Sequence, residues 1–369
     1  RVYLCVGTCY VPDEAKNDYE SRLRRYIPIF EKAGFEVGVW MSSLGHGGAE
    51  TAESHDAGFA LMQSSDGMHN TGGYCPLDEN FTEAFRNWLK RVAAAGARLI
   101  MLDDDYRMAF RGGKLYCCCD RHRALIEERL GTRVAREELG AVFSGEPSRL
   151  RDAWLYAQGE GLRRLAQRLR QAVDSVSPGI RLGHCAVLST WELDGIDSIE
   201  LARIFAGQTR PFLRLIGAPY WTALRTFNAW CLSTVIEYER MQAEWCANIG
   251  GEIEIFSEGD VFPRPRWKVP AAYLELFDAG LRASGGFDGI LKYMCDYTSL
   301  PEFEPGYLAR HNRNAGRRKW IAEHFDGKKA IGLSLFEPVK TIHLSRDAGE
   351  VHNRCIPASL RLAAFNTLP

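Results

Sequence analysis

Short apolar strands alternate with longer amphipathic stretches along almost the whole chain, and this alternation limits the folds open to it. Candidate strands lie at Val2–Gly7, Glu36–Met41, Ala60–Ser64, Arg98–Leu102, Arg181–Cys185, Phe212–Ile216, Glu252–Phe256 and Gly289–Tyr293. Helical patterns fall between them at Asp18–Ala33, Glu79–Ala95, Leu150–Val176, Ala223–Ile249 and Val269–Ala283, with breakers at Gly34, Gly96, Pro178 and Gly285. Eight strands with interposed helices over about 290 residues predict an α/β chain folded as a (β/α)8 barrel. A doubly wound open sheet is the alternative, but no glycine-rich dinucleotide loop follows the first strand. The barrel is expected over residues 1–325. Beyond it, Lys329–Phe336 reads as a new strand and Ser359–Asn366 as a helix opening, so 326–369 is expected to begin an incomplete second α/β domain.

Charge and composition narrow the function. Lys plus Arg total 46 against 47 Asp plus Glu, a formal charge of −1, so no global field steers nucleic acid or anionic lipid. No run approaches the roughly 18 apolar residues that span a bilayer. Arg1–Tyr10 reads as a strand rather than a signal peptide, so the chain is expected to start late. Of eleven cysteines, Cys5, Cys9, Cys185, Cys231, Cys246 and Cys295 sit singly in apolar segments and read as free thiols, which fits a cytoplasmic protein.

In a barrel of this kind the chemistry lies where strands end and βα loops begin. The fourth candidate strand ends in Asp103-Asp104-Asp105, with Arg107 just beyond. Glu258 follows the seventh, with Arg264 after it; Asp296 follows the eighth, His69 the third, and Tyr220 and Trp221 the sixth. Consecutive carboxylates repel unless a metal, a sugar or arginines use them. A solvated acidic loop is the plain alternative. Acids from the fourth and seventh strands facing each other across a barrel mouth would suit glycoside hydrolysis. Trp40, Trp191, Tyr220 and Trp221 would offer stacking platforms for sugar rings, although each alone reads equally well as core. Glu254 is the alternative nucleophile if the seventh strand ends early.

A second constellation is Cys117-x-Cys119-x-x-His122 on a hairpin near 115–122, with Cys75 upstream. Three thiols and an imidazole suit tetrahedral zinc, and such a closed set is structural because no position is left for water. Unmetallated thiols are the alternative. Cys118 is a spectator or a substitute ligand.

Four segments together resemble the β-galactosidase-like glycoside hydrolases of family 42. Leu102–Arg107 (LDDDYR) looks like that family's Asp-Asn-Glu-Tyr signature. Tyr74-Cys75-Pro76 with Phe81–Phe85 is similar to its Cys-Pro segment, and Leu115–His122 to its cysteine hairpin. Phe256–Asp260 (FSEGD) stands where the family keeps its nucleophilic Glu. The resemblance implies a retaining β-glycosidase, β-galactoside by likeness, with Glu258 as nucleophile and Asp105 as acid/base. It also places Asp104 at the sugar 2-hydroxyl, a structural zinc on Cys75, Cys117, Cys119 and His122, and a trimerisation domain from Lys329 onward, hence a homotrimer or other homo-oligomer. Asp105 departs from the family's Glu by one methylene, about 1.5 Å of reach. Three other outcomes stay open: an inverting enzyme using the Asp103–Asp105 run, a non-catalytic glycan-binding barrel, and a divalent-metal enzyme built on that run.

Overall fold

A computed structural model describes residues 1–7, 11–45, 57–103, 106–108, 114–186, 193–222, 231–249, 252–261, 269–294, 305–325 and 328. In chain order the strands are β1 (Val2–Cys5), β2 (Val37–Met41), β3 (Leu61–Gln63), β4 (His69–Tyr74), β5 (Leu99–Leu102), β6 (Arg181–Ala186), β7 (Phe212–Leu215), β8 (Glu254–Gly259) and β9 (Gly289–Lys292). Seven of them form one sheet in the order β1-β2-β5-β6-β7-β8-β9, and the β1–β2, β2–β5, β5–β6 and β8–β9 pairs are parallel. Sheet neighbours are thus successive in the chain, without the reversal of strand order that defines a doubly wound sheet. The fold is of the α/β, TIM-barrel class, as the alternation predicts.

The third expected strand is a correction. Leu61–Gln63 does not enter the main sheet but pairs antiparallel with β4 in a separate hairpin. The turn explains why. Ser64 N donates to Met68 O at 2.9 Å, Gly67 adopts φ +82°, and the Asp66 carboxylate takes the Ser64 hydroxyl and the Met68 amide. Asp-Gly is a strong hairpin signal, and here it turns the chain back after three residues. β2 therefore pairs directly with β5, and the main sheet has seven strands among the described residues.

A second correction concerns β8, which runs to Gly259 rather than ending at Phe256. The first helix, α1 (Asp13–Lys32), starts five residues earlier than its apolar pattern, because Asp13 and Glu14 suit the positive end of the helix dipole.

The described residues divide into two units, 1–213 and 214–328. In the first, α2 (Glu79–Ala94) buries Phe81, Phe85, Trp88, Leu89 and Val92 on one face, the spacing of an amphipathic helix. α3 (Asp120–Leu130) follows the cysteine hairpin, and α4 (Arg149–Asp174) is capped by Ser148, whose side chain accepts from Arg151 N. α5 (Ser198–Ala206) is capped by Asp197 in the same way. In the second unit, α6 (Leu232–Ile249), α7 (Ala271–Ser284), α8 (Pro305–Arg313) and α9 (Ala315–Phe325) accompany β8 and β9. There Lys292 at the end of β9 is buried between Glu275 and Asp278 of α7, with Asp278 at 2.6 Å. Among the described residues no helix is long and apolar enough to cross a membrane. Residues 329–369, where the second domain is expected, lie outside the described residues.

Candidate active site and metal centre

All six residues of β8 are buried, yet Glu254, Ser257 and Glu258 are polar. Side chains alternate along a strand, so Glu254, Phe256 and Glu258 share one face, and Ser257 lies on the other with Ile255 and Gly259. The longer strand separates the two glutamates. Four residues at about 3.3 Å each put Glu254 roughly 13 Å back toward the N-terminal end, leaving Glu258 as the acid at the C-terminal end, where barrel chemistry occurs.

Arg214, in β7 and 2% exposed, places Nη2 3.8 Å from Glu258 Oε1 and donates from Nη1 to the Tyr293 hydroxyl at 3.1 Å. A guanidinium at that distance is an ion pair without a direct hydrogen bond. It supplies a fixed positive charge beside a carboxylate withdrawn from water.

A further acid, Glu239, reaches this cluster from α6 and is fully buried. Gln242, three residues on, donates at 3.3 Å to Glu239 Oε1 and at 3.0 Å to Ile216 O, which ties the helix to the end of β7. Gly217 makes the approach possible, since a Cβ there would stand 2.2 Å from Glu239 Oε1. Burial pushes the Glu239 carboxyl well above the ordinary carboxylate range; the charge of Glu258 adds to this, while Ser257, Arg214 and Gln242 pull the other way. Sequence reading overlooked Glu239, although a signal was present. Val235, Glu239, Gln242 and Cys246 fall on one helical stripe, so two polar residues occupy core-facing positions.

Asp104, Asp105, Arg264 and Asp296 lie outside the described residues, as does Trp191. Asp103 directly follows β5 at 1% exposure, and its amide donates to Met41 O at 2.8 Å. Arg107 is half-buried, next to Tyr106, whose hydroxyl donates to Leu162 O at 2.8 Å. His69 is exposed on the hairpin, with Nε2 3.3 Å from Gln63 Nε2. Trp221 packs in a core cluster with Ala218, Val235, Tyr238, Phe277 and Leu281, its ring 5.6 Å from that of Tyr238, and half-buried Tyr220 lies against the same cluster. Trp40 is also buried.

The cysteine constellation does come together. Ligand atoms of Cys75, Cys117, Cys119 and His122 all lie within 4.8 Å of one another, and all four residues are buried. Cys75 Sγ is 3.7 Å from Cys119 Sγ, and His122 Nδ1 is 3.6 Å from Cys75 Sγ and 3.3 Å from Cys119 Sγ. Bonds of about 2.3 Å to sulfur and 2.0–2.1 Å to nitrogen at tetrahedral angles require separations of about 3.8 and 3.6 Å. The donor set therefore fits a tetrahedral ion in number, chemistry and spacing. Burial alone would lower the His122 imidazole, but the Cys75 and Cys119 sulfurs lift it to about 10. Packed this closely, the ligands favour a cation among them.

The surroundings hold the ligands in place. Gln158 brackets Cys117, its Oε1 accepting from Cys117 N at 2.8 Å and its Nε2 donating to Cys117 O at 3.1 Å. Cys118 points elsewhere, into the cluster around Trp154, and burial raises its thiol to about 12. Its thiol lies outside the four-residue cluster.

No family model matches the chain, and no curated protein matches it. Solved structures do. The PgaB (BpsB) glycoside hydrolase domain from Bordetella bronchiseptica superposes with a TM-score of 0.53 at 12% identity, covering 89% of this chain and 99% of that one. A cold-adapted β-galactosidase from Rahnella sp. R3 gives 0.52 at 13% identity over 88% of this chain, which spans about half (51%) of that protein. GH5_18 from Streptomyces cattleya, solved in complex with Manβ1-4GlcNAc, gives 0.50 at 11% identity over 98% of this chain and 82% of the other. At such identities the likeness is one of fold. It extends to several kinds of glycoside hydrolase and does not single out family 42.

Proposed function

We propose that the protein is a glycoside hydrolase that cleaves a β-linked glycoside with retention, with Glu258 as nucleophile and Asp105 as acid/base. The observation that carries this reading is the placement of Glu258: a buried carboxylate at the C-terminal end of a barrel-type strand, beside the guanidinium of Arg214. The glycoside hydrolases that share the fold support it.

In the proposed reaction Glu258 attacks the anomeric carbon while Asp105 protonates the departing oxygen. Asp105 then takes a proton from the water that releases the sugar. Retention calls for roughly 5–5.5 Å between the two carboxyls, inversion for about 6.5–9.5 Å. Arg214 orients the nucleophile and balances its charge. Asp103, Asp104, Arg107, His69, Tyr220, Asp296 and Arg264 are the proposed sugar contacts. Trp221, packed in the core, would support the wall behind them. A galactoside is the substrate suggested by the family 42 resemblance.

Zinc is the proposed ion of the Cys75–Cys117–Cys119–His122 set, where it would lock the hairpin to the strand end without entering the reaction. A cytoplasmic location accords with this thiol chemistry, and a homotrimer with the resemblance beyond Lys329.

The test is a panel of aryl β-glycosides with the product anomer read by NMR. Glu258→Gln should lose at least about 100-fold in kcat on any glycoside the parent cleaves. Full activity in that variant would rule out Glu258. Inverted product would point to the Asp103–Asp105 run acting with water. Binding without cleavage would leave a glycan-binding barrel.

A further inference from the structure

We propose that Glu239 is a positioning residue for Glu258: a neutral carboxylic acid held at the end of β7 and against β8, so that the Arg214 guanidinium is left to Glu258. This rests on reading Glu258 as the nucleophile.

The argument begins with charge. Among the described residues, two buried acids, Glu239 and Glu258, stand beside the buried cation Arg214. Arg214 approaches Glu258 to 3.8 Å and spends its other arm on the Tyr293 hydroxyl. Around Glu239 stand Glu258 and Ser257 from β8, Arg214 from β7 and Gln242 on its own helix, with Tyr293 of the β9 end reached only through Arg214. Among the described residues the Gln242 amide donates to Oε1, the Ser257 hydroxyl stands near the carboxyl without a hydrogen bond of full geometry, and Oε2 has no hydrogen-bond partner. One amide donor suits the carbonyl of an acid, whereas a buried carboxylate asks for several donors or a cation.

Gly217 is shaped to this carboxyl, and the Gln242 amide is pinned by Ile216 O, so the acid has a fixed seat rather than a chance position. Ionised, Glu239 would draw Arg214 away from Glu258 and place a second anion beside the nucleophile. Neutral, it leaves the pair intact. No proton leaves Glu239 during turnover.

The experiment compares wild type, Glu239→Gln and Glu239→Leu, the last guarding against an amide variant that folds poorly. On an aryl β-glycoside cleaved by the wild type, Glu239→Gln, which keeps the shape and the uncharged state, should retain more kcat near pH 6 than Glu239→Leu, which leaves the Gln242 amide unpaired there. Beyond the limb set by Asp105, wild-type kcat/KM should fall in a second step as Glu239 ionises, so its alkaline limb should be steeper than that of the neutral variants, which have no such proton to lose. A purely structural residue would leave the limbs equally steep, and coincident limbs overturn the proposal.

Thermal melting needs no substrate. An acid whose proton is held more tightly in the fold costs wild-type stability as pH rises from the unfolded carboxyl range through the folded value. The difference in Tm, Glu239→Gln minus wild type, should therefore grow between about pH 5 and 9. A constant difference would show that Glu239 is ionised in the fold and overturn its neutral state. If melting behaves as expected but Glu258→Gln stays fully active, the positioning role falls with the nucleophile reading while the neutral acid stands.

Discussion

Alanine at Gly217 probes how the carboxyl cluster is assembled. Its Cβ would stand 2.2 Å from Glu239 Oε1 and 2.9 Å from both Cδ and Cγ. Carbon and oxygen normally meet no closer than about 3.3 Å, so the carboxyl must retreat by about 1 Å. Glu239 is fully buried, and retreat would also strain the 3.3 Å bond from Gln242. Overpacking of this kind costs about 1–3 kcal/mol, and a buried hydrogen bond about 1 more. At about 2–4 °C per kcal/mol, a 2 kcal/mol loss lowers Tm by about 4–8 °C. The backbone at Gly217 lies outside the left-handed region, so contact rather than conformational strain is being tested. Melting of Gly217→Ala in the wild-type and Glu239→Ala backgrounds forms a double-mutant cycle. With the carboxyl gone the alanine should cost little, giving a coupling of at least about 1 kcal/mol. Equal losses in both backgrounds, or none in either, would refute the geometry.

Three further outcomes follow from the rest of the molecule. Purified protein should carry about one zinc per chain by elemental analysis, and Cys75→Ser should release it and lower Tm; a zinc-free protein whose melting ignores that change would remove the metal centre. His184 is buried with neither ring nitrogen hydrogen-bonded among the described residues, and burial lowers its imidazole to about 3. Its neutral form is fully retained above the ordinary value of 6.5, and stability falls as pH drops toward about 3, by roughly 3–6 kcal/mol in all. His184→Phe should flatten that part of the acid denaturation curve, and an unchanged slope would refute this. Lys292→Met strips the buried Glu275 and Asp278 of their shared cation and should cost about 3–5 kcal/mol in urea unfolding. A loss under about 1 kcal/mol would mean Arg282 and Arg318 suffice.

Much of this was legible in the chain itself. Runs such as Leu99–Leu102, apolar at every position and short, read as strands buried on both faces, and the helical stripe of α2 is written in Phe81, Phe85, Trp88 and Leu89. The metal-type set was legible too, because soft ligands at short spacing have few other uses. Asp66-Gly67 also signals a hairpin, yet periodicity alone does not say which partner the preceding strand takes.

What folding alone decided is pairing at a distance. Nothing in the local pattern relates Arg214 to Glu258 or seats Glu239 against Gly217, positions 44 and 22 residues apart in the chain. Local order follows from the period of the apolar residues, which short-range sterics impose. Which charges meet in the dark of the core depends on strand register and helix placement, set by the packing of the entire unit.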